Sequence, residues 1–200
     1  MKNLITVVIP LFKVENCLSK CLKSIINQTY KNIEIIIIDN TNDKSLKEIY
    51  TKFAKIDNRI KIITTKSKNI NNIALSTSHG DFIHFISSCD YISPSYYEKM
   101  LSSALSNNSD IAISGFKTKN YNLYYSSKGI CKTVKEKVSA TQIYKYDFIF
   151  RYLIRKELLN NHKIKFNTNS MQDMVFLMQV IFFANNISIV PRITYFTGLS

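Results

Sequence analysis

Asp39 closes the apolar run NIEIIIID, Asp90 follows the run DFIHFISSC, and Asp173 heads the apolar stretch MVFLMQVIFFA. A carboxylate at such a place can accept hydrogen bonds from a ligand, hold a hard cation through oxygen, or take a proton as general base. Each also has a plainer role. Asp39 could cap the helix that follows it, although Asp43 suits that better. Asp173 could be a first-turn acid favoured by the helix dipole. His79, His84 and His162 form no set, and His84 falls mid-strand as a packed core residue would. Cys17, Cys21, Cys89 and Cys131 make no metal-ligand pattern and read as reduced, buried or half-buried thiols.

The elements that would position these groups alternate. LITVVIPLF and NIEIIIID are near-continuous apolar runs rich in β-branched residues, as in strands covered on both faces. Val14, Leu18, Leu22, Ile25 and Ile26 recur at helical spacing, as do Leu46, Ile49, Phe53 and Ile56. RIKIITT, DFIHFISS and DIAISGFKT read as further strands. NINNIALSTS and PSYYEKMLSSAL read as helices, the second with Pro94 just inside its start. Such alternation predicts a three-layer α/β sandwich around a mostly parallel sheet. Ligands of open sheets sit beyond the carboxyl ends of the strands. That rule selects Pro10 to Phe12, Asp39 to Asp43, and Ser87 to Asp90, with Asp39 and Asp90 on one rim.

After residue 116 the pattern changes. Residues 117–140 read as a loop or irregular hairpin. IYKYDFIFRYLIRKELLNN reads as a helix, QDMVFLMQVIFFANN as an apolar helix with Asn169 or Ser170 as cap, and NISIVPRITYFTG as a last strand pair. We therefore divide one domain into two parts, residues 1–116 and 117–200.

Composition excludes several classes. With 46% hydrophobic and 20% charged residues the chain is neither disordered nor fibrous. Its apolar runs fall short of the roughly 20 residues of a membrane span. MKNLITVVIP lacks a small-residue cleavage site, so it reads as a strand and the expected location is cytoplasmic. The net charge of +13, heavier in the second half, suits an anionic partner. No motif of the known nucleic-acid modules is present, and nucleic acid is not expected as a partner.

ITVVIPLFKVENCLSKCLKSIINQTYKNIEIIIID resembles the opening of the family 2 glycosyltransferases, which have the GT-A fold, a Rossmann-like three-layer sandwich. The likeness continues through DNTNDKSLKEI, HGDFIHFISSCDYISPSYYEKM, LIRKELLNNHKIKF and QDMVFLMQVIFFANNISIV, in order, over essentially the whole chain. It implies transfer of a sugar from a nucleotide-diphosphate donor, a UDP-sugar in the first instance, with inversion. The acceptor would be a saccharide or lipid-linked molecule of a bacterial surface polymer. It makes Asp39 the ligand of the nucleotide base, with Pro10, Phe12 and Glu15 lining the same pocket. Asp173, in Gln172-Asp173, takes the place of the general base.

The departures bear on the metal. The second acid after the second strand is Asn40, and the arginine position of the donor loop is Asn71. The aspartate-any-aspartate motif that commonly holds Mn²⁺ or Mg²⁺ reads Ser87-Ser88-Cys89, with Asp90 the remaining acid. Asn71 and Ser88 then face the donor, and Asp90 is the candidate metal ligand, a weak one. Lys66 and Lys68 could neutralise phosphate instead. A relative with the fold but impaired catalysis, binding a nucleotide or a partner transferase, is the alternative. Lys145, Arg151, Arg155 and Lys156, set among Tyr144, Tyr146, Phe148, Phe150 and Tyr152, would suit peripheral contact with an anionic membrane if that segment is an amphipathic helix.

Overall fold

Ile5–Leu11 (β1) and Ile33–Asp39 (β2) are buried at every position. They pair in parallel from Ile5 opposite Ile33 to Leu11 opposite Asp39. β-branched side chains fill both faces, which is why these strands read as unbroken apolar runs. The computed structural model describes residues 3–11, 17–167 and 171–198. Along these follow α1 (Leu18–Ile26), α2 (Lys44–Ile56), β3 (Ile60–Thr64), α3 (Ile70–Thr77), β4 (Phe82–Phe85), β5 (Tyr91–Ile92), α4 (Tyr96–Ser106) and β6 (Ile111–Lys117). Then come β7 (Asn122–Leu123), β8 (Gly129–Cys131), α5 (Val134–Thr141), a 3₁₀ turn (Ile149–Arg151), β9 (Tyr152–Arg155), α6 (Lys156–Asn161), α7 (Gln172–Phe183) and β10 (Ile187–Phe196).

The sheet runs β3-β2-β1-β4-β9-β6-β10-β5, with β7 and β8 on its margins. β1, β2, β3, β4, β6 and β10 point one way, so the sheet is mostly parallel. The two-residue alternation of each strand divides the core. Ile5, Val7, Ile9 and Leu11 pack with Leu18 and Leu22 of α1 and Tyr96 and Met100 of α4. Val8, Ile36 and Ile38 pack on the other face with Ile70 of α3 and Phe176 and Val180 of α7. The result is the expected three-layer sandwich.

Four readings are corrected. Residues 143–161 are not one helix. β9 is inserted antiparallel between β4 and β6, so Tyr152–Arg155 must be extended, and tertiary pairing overrides the helical period. Arg151 is wholly buried, and the amphipathic membrane face drawn from that helix does not form. Residues 134–141 are helical because Thr133 and Glu136 close a reciprocal capping box, a signal legible as T-x-x-E. Residues 187–196 make one strand with register shifts, where Arg192 takes φ 74°, rather than a strand pair. Cys17 and Cys89 are joined by a disulfide, Cα–Cα 4.8 Å, because the start of α1 and the loop after β4 meet at one rim. Cys21 and Cys131 are buried thiols, as expected.

Candidate active site

β1 and β4 run side by side in parallel, so their carboxyl ends open on the same side of the sheet. There a cleft of about 560 Å³ forms. Pro10 of β1, Asn71 of α3, and Ser87 and Asp90 after β4 supply one wall of it. Asp147, Phe148 and Phe150, ahead of β9, face them with Lys119 and Tyr121 of the β6–β7 turn. Gln172 and Asp173, in the first turn of α7, and Thr197, after β10, complete it. The cleft thus gathers Pro10, Asn71, Asp90 and Asp173 from four separate elements. Ser88 is buried beside it without lining it. Phe12, Glu15 and the cap candidates Asn169 and Ser170 lie outside the described residues.

Asp39 shares the rim with Asp90 but does not line the cleft. Its Oδ1 accepts from the Thr41 amide (2.8 Å) and hydroxyl (2.7 Å), and its Oδ2 from the Tyr50 hydroxyl (2.9 Å). Helix capping falls to Asp43, which accepts from the Leu46 amide at 2.9 Å.

Asp90 is 1% exposed and committed within the fold. Tyr195 donates to its Oδ2 at 2.5 Å and the Gly198 amide to its Oδ1 at 3.0 Å. Burial first, and the Asp90 charge second, push the Tyr195 phenol well up, so it stays a donor. The approach is close enough that a methyl on Gly198 would collide with the Cys89 carbonyl. Tyr195 stacks on Phe150 at 4.4 Å, and the Phe150 carbonyl accepts from His84 Nε2 at 2.7 Å. That bond fixes the tautomer: His84 Nδ1 accepts from the Tyr97 hydroxyl at 3.0 Å. Burial lowers the His84 pKa to about 4, which keeps it neutral in the core as the sequence implied.

A hard divalent cation wants several oxygen ligands, carboxylates above all. The motif offers hydroxyls, a sulfur bonded to Cys17, and one carboxylate whose two oxygens already accept hydrogen bonds. Among the described residues no group of three or more His, Cys, Asp or Glu could hold a metal. These residues do not fit a resident divalent cation.

Three buried polar atoms on the cleft wall have no hydrogen-bond partner among the described residues: Asn71 Oδ1, Asp173 Oδ1 and Thr197 Oγ1. Orphaned buried acceptors cost about 1–3 kcal/mol each, so their gathering in one cleft marks where a hydroxyl- or amide-bearing ligand would complete them. Burial first, and the charge of Asp147 second, raise the Asp173 carboxyl above its ordinary range. Asp147, Lys119 and Thr197 were missed in the sequence. Asp147 was absorbed into a supposed helix, and nothing local distinguishes Thr197.

Asp147→Asn is expected to move the acid limb of a kcat/KM profile to lower pH. A carboxyl group can take a proton only in its ionised form, and removing a neighbouring negative charge makes it easier to ionise. Asp147 is exposed and burial is the larger cause, so the shift should be small. An acid limb that stays put, or moves up, would show that the two carboxylates do not communicate.

Residues 6–180 match the model of Glycosyl transferase family 2. The chain belongs to that family. It is 35% identical over 129 residues to "Glycosyltransferase GlyA" of Streptococcus pneumoniae, covering 63% of this chain and 18% of that protein. It is 27% identical over 210 residues to "Putative glycosyltransferase EpsH" of Bacillus subtilis, covering 96% and 59%. The crystal structure of S. aureus TarS 1-349 in complex with UDP-GlcNAc superposes with a TM-score of 0.82 at 20% identity, over 96% of this chain and 58% of that one. This likeness gives the GT-A fold. The chain spans under two thirds of the length of each of these proteins.

Proposed function

We propose that this glycosyltransferase family 2 chain transfers a sugar from a UDP-sugar to a saccharide or lipid-linked acceptor, with inversion, and that Asp173 is its general base. Residues 1–116 would hold the donor and 117–200 the acceptor. The observation that carries the reading is the partnerless, buried Oδ1 of Asp173 in a cleft shared with Pro10 and Asn71. In the transfer, Asp173 takes the acceptor's hydroxyl proton while the acceptor oxygen bonds to the anomeric carbon from the face opposite the leaving group. The bond from that carbon to the β-phosphate oxygen breaks, its electron pair stays on the phosphate, and UDP leaves. Positioning and charge stabilisation supply most of the rate in such transfers. A cleft walled by Phe148, Phe150 and Ile149 supports exclusion of water from the reacting carbon.

Family membership makes cation-assisted donor binding reasonable, but the residues after β4 do not supply the ligands for it. A cytoplasmic site at an anionic membrane surface, where lipid-linked acceptors lie, is part of this reading. Exposed Tyr144 and Lys145 support it without the helix first drawn there, and among the described residues no helix is long and apolar enough to cross a membrane. Asp90, buried and hydrogen-bonded through both oxygens, favours one competing reading, a transferase-like module that binds nucleotide without turnover.

Calorimetric titration with UDP, GDP and CDP, followed by release assays with the matching nucleotide sugars, separates the two. UDP should bind, and Asp39→Ala should weaken it by about 1–3 kcal/mol, the cost of an unmet buried hydrogen bond. Tyr50→Phe, which removes only the internal partner of Oδ2, should leave affinity unchanged. Equal losses in both variants would assign Asp39 to the loop and not to the base. Nucleotide binding with no release in the presence of acceptor extracts would favour the module.

A further inference from the structure

We propose that this chain holds the donor diphosphate without a divalent cation, and that the ammonium of Lys119 supplies the positive charge there. The inference rests on the proposed donor and adds how its charge is met. Three cation sources can be traced from the residues, and two are disfavoured. Both carboxylate oxygens of Asp90 are engaged by Tyr195 and Gly198 at 2.5 and 3.0 Å, and the sulfur of Cys89 is bonded to Cys17. The donor-loop position that carries arginine in the resemblance is Asn71, and Lys66 and Lys68 do not line the cleft.

Lys119 is the third source. Among the described residues lining the cleft it is the single cation, against Asp90, Asp147 and Asp173. A nucleoside diphosphate adds negative charge to a wall that is already net negative, so binding requires a compensating cation within contact range. Lys119 sits within a turn closed by its neighbours. Thr118 Oγ1 accepts from the Asn120 and Tyr121 amides at 3.1 and 2.7 Å, and the Thr118 amide donates to the Tyr121 carbonyl at 2.8 Å. A closed turn therefore presents the side chain at the cleft mouth while leaving its long stem free to follow phosphate oxygens. An ammonium is a compact point charge with three donors, suited to a diphosphate whose bridging geometry changes as the sugar leaves. As the bond to the anomeric carbon breaks, the charge arriving on the β-phosphate falls next to it.

The test is calorimetry with UDP on the whole chain, with EDTA and with excess Mn²⁺, on the parent, Lys119→Ala and Lys119→Arg. Lys119 is exposed, so both variants should fold, which circular dichroism checks. UDP should bind the parent equally in EDTA and Mn²⁺. Lys119→Ala should weaken it by about tenfold or more in both, and Lys119→Arg should retain most of the affinity. Binding that appears only with Mn²⁺ overturns this inference and leaves the transferase reading intact, as does a Lys119→Ala variant with parental affinity. Absence of binding by UDP, GDP and CDP in both conditions overturns the donor reading and this inference with it.

Discussion

Replacing Asp173 by Asn should abolish sugar transfer and leave nucleotide affinity at the parental value. The change is nearly isosteric, so the first turn of α7 keeps its shape, and the amide can still fill the space Oδ1 occupies. It cannot take a proton from the acceptor hydroxyl. General-base assistance is worth on the order of 10²–10⁴ in rate, and the loss should fall in kcat. The competing role for Asp173, a helix-dipole acid, predicts something different. Losing that interaction would cost about 0.3–1 kcal/mol of stability and leave turnover within a factor of a few. Oδ1 is buried and unpartnered, and burial raises its pKa, which suits a base waiting for a substrate better than a solvated dipole partner. Measuring turnover and UDP affinity on the same preparation decides between them, and near-parental turnover would remove Asp173 from the base role.

The parts of the fold that could be read from the sequence share one property: their signal is local. β1 and β2 announce themselves because both faces are covered, and Asp43 and Asp173 because helix starts favour acids. The rim shared by Asp39 and Asp90 followed from parallel strand direction alone, which β1 enforces by pairing with both neighbours. What failed was long-range. β9 reads as helix by period, yet its backbone is claimed by β4 on one side and β6 on the other. Asp90 reads as a metal ligand, yet its partners, Tyr195 and Gly198, arrive from more than a hundred residues away. The Cys17–Cys89 bond likewise joins positions 72 apart. No periodicity or spacing carries such information, because each of these contacts is decided by where the strands end in space.

Arg151 shows how much such a contact can weigh. As part of a basic and aromatic segment it suggested a membrane surface, but it is among the largest wholly buried side chains of the described residues. Its Nη1 donates to the Thr141 carbonyl at 2.9 Å, Nη2 to the Tyr125 hydroxyl at 2.7 Å, and Nε to the Ser114 carbonyl at 3.4 Å. The guanidinium also lies over the Phe116 ring, 5.3 Å from its centroid. It therefore ties α5, β6 and the entry to β9 together. Arg151→Ala should lower stability by about 3–5 kcal/mol, because a large cavity opens and two buried carbonyls lose their donor. Relief of the buried charge offsets part of this, so Arg151→Met, which keeps most of the volume, should cost less, about 1–3 kcal/mol. Lys145→Ala, on an exposed side chain of the same segment, should stay within about 0.5 kcal/mol. Urea unfolding of the three variants gives the order directly. An Arg151→Ala midpoint equal to that of the parent, together with weaker recovery on anionic liposomes, would return this residue to the surface role that its sequence context suggested.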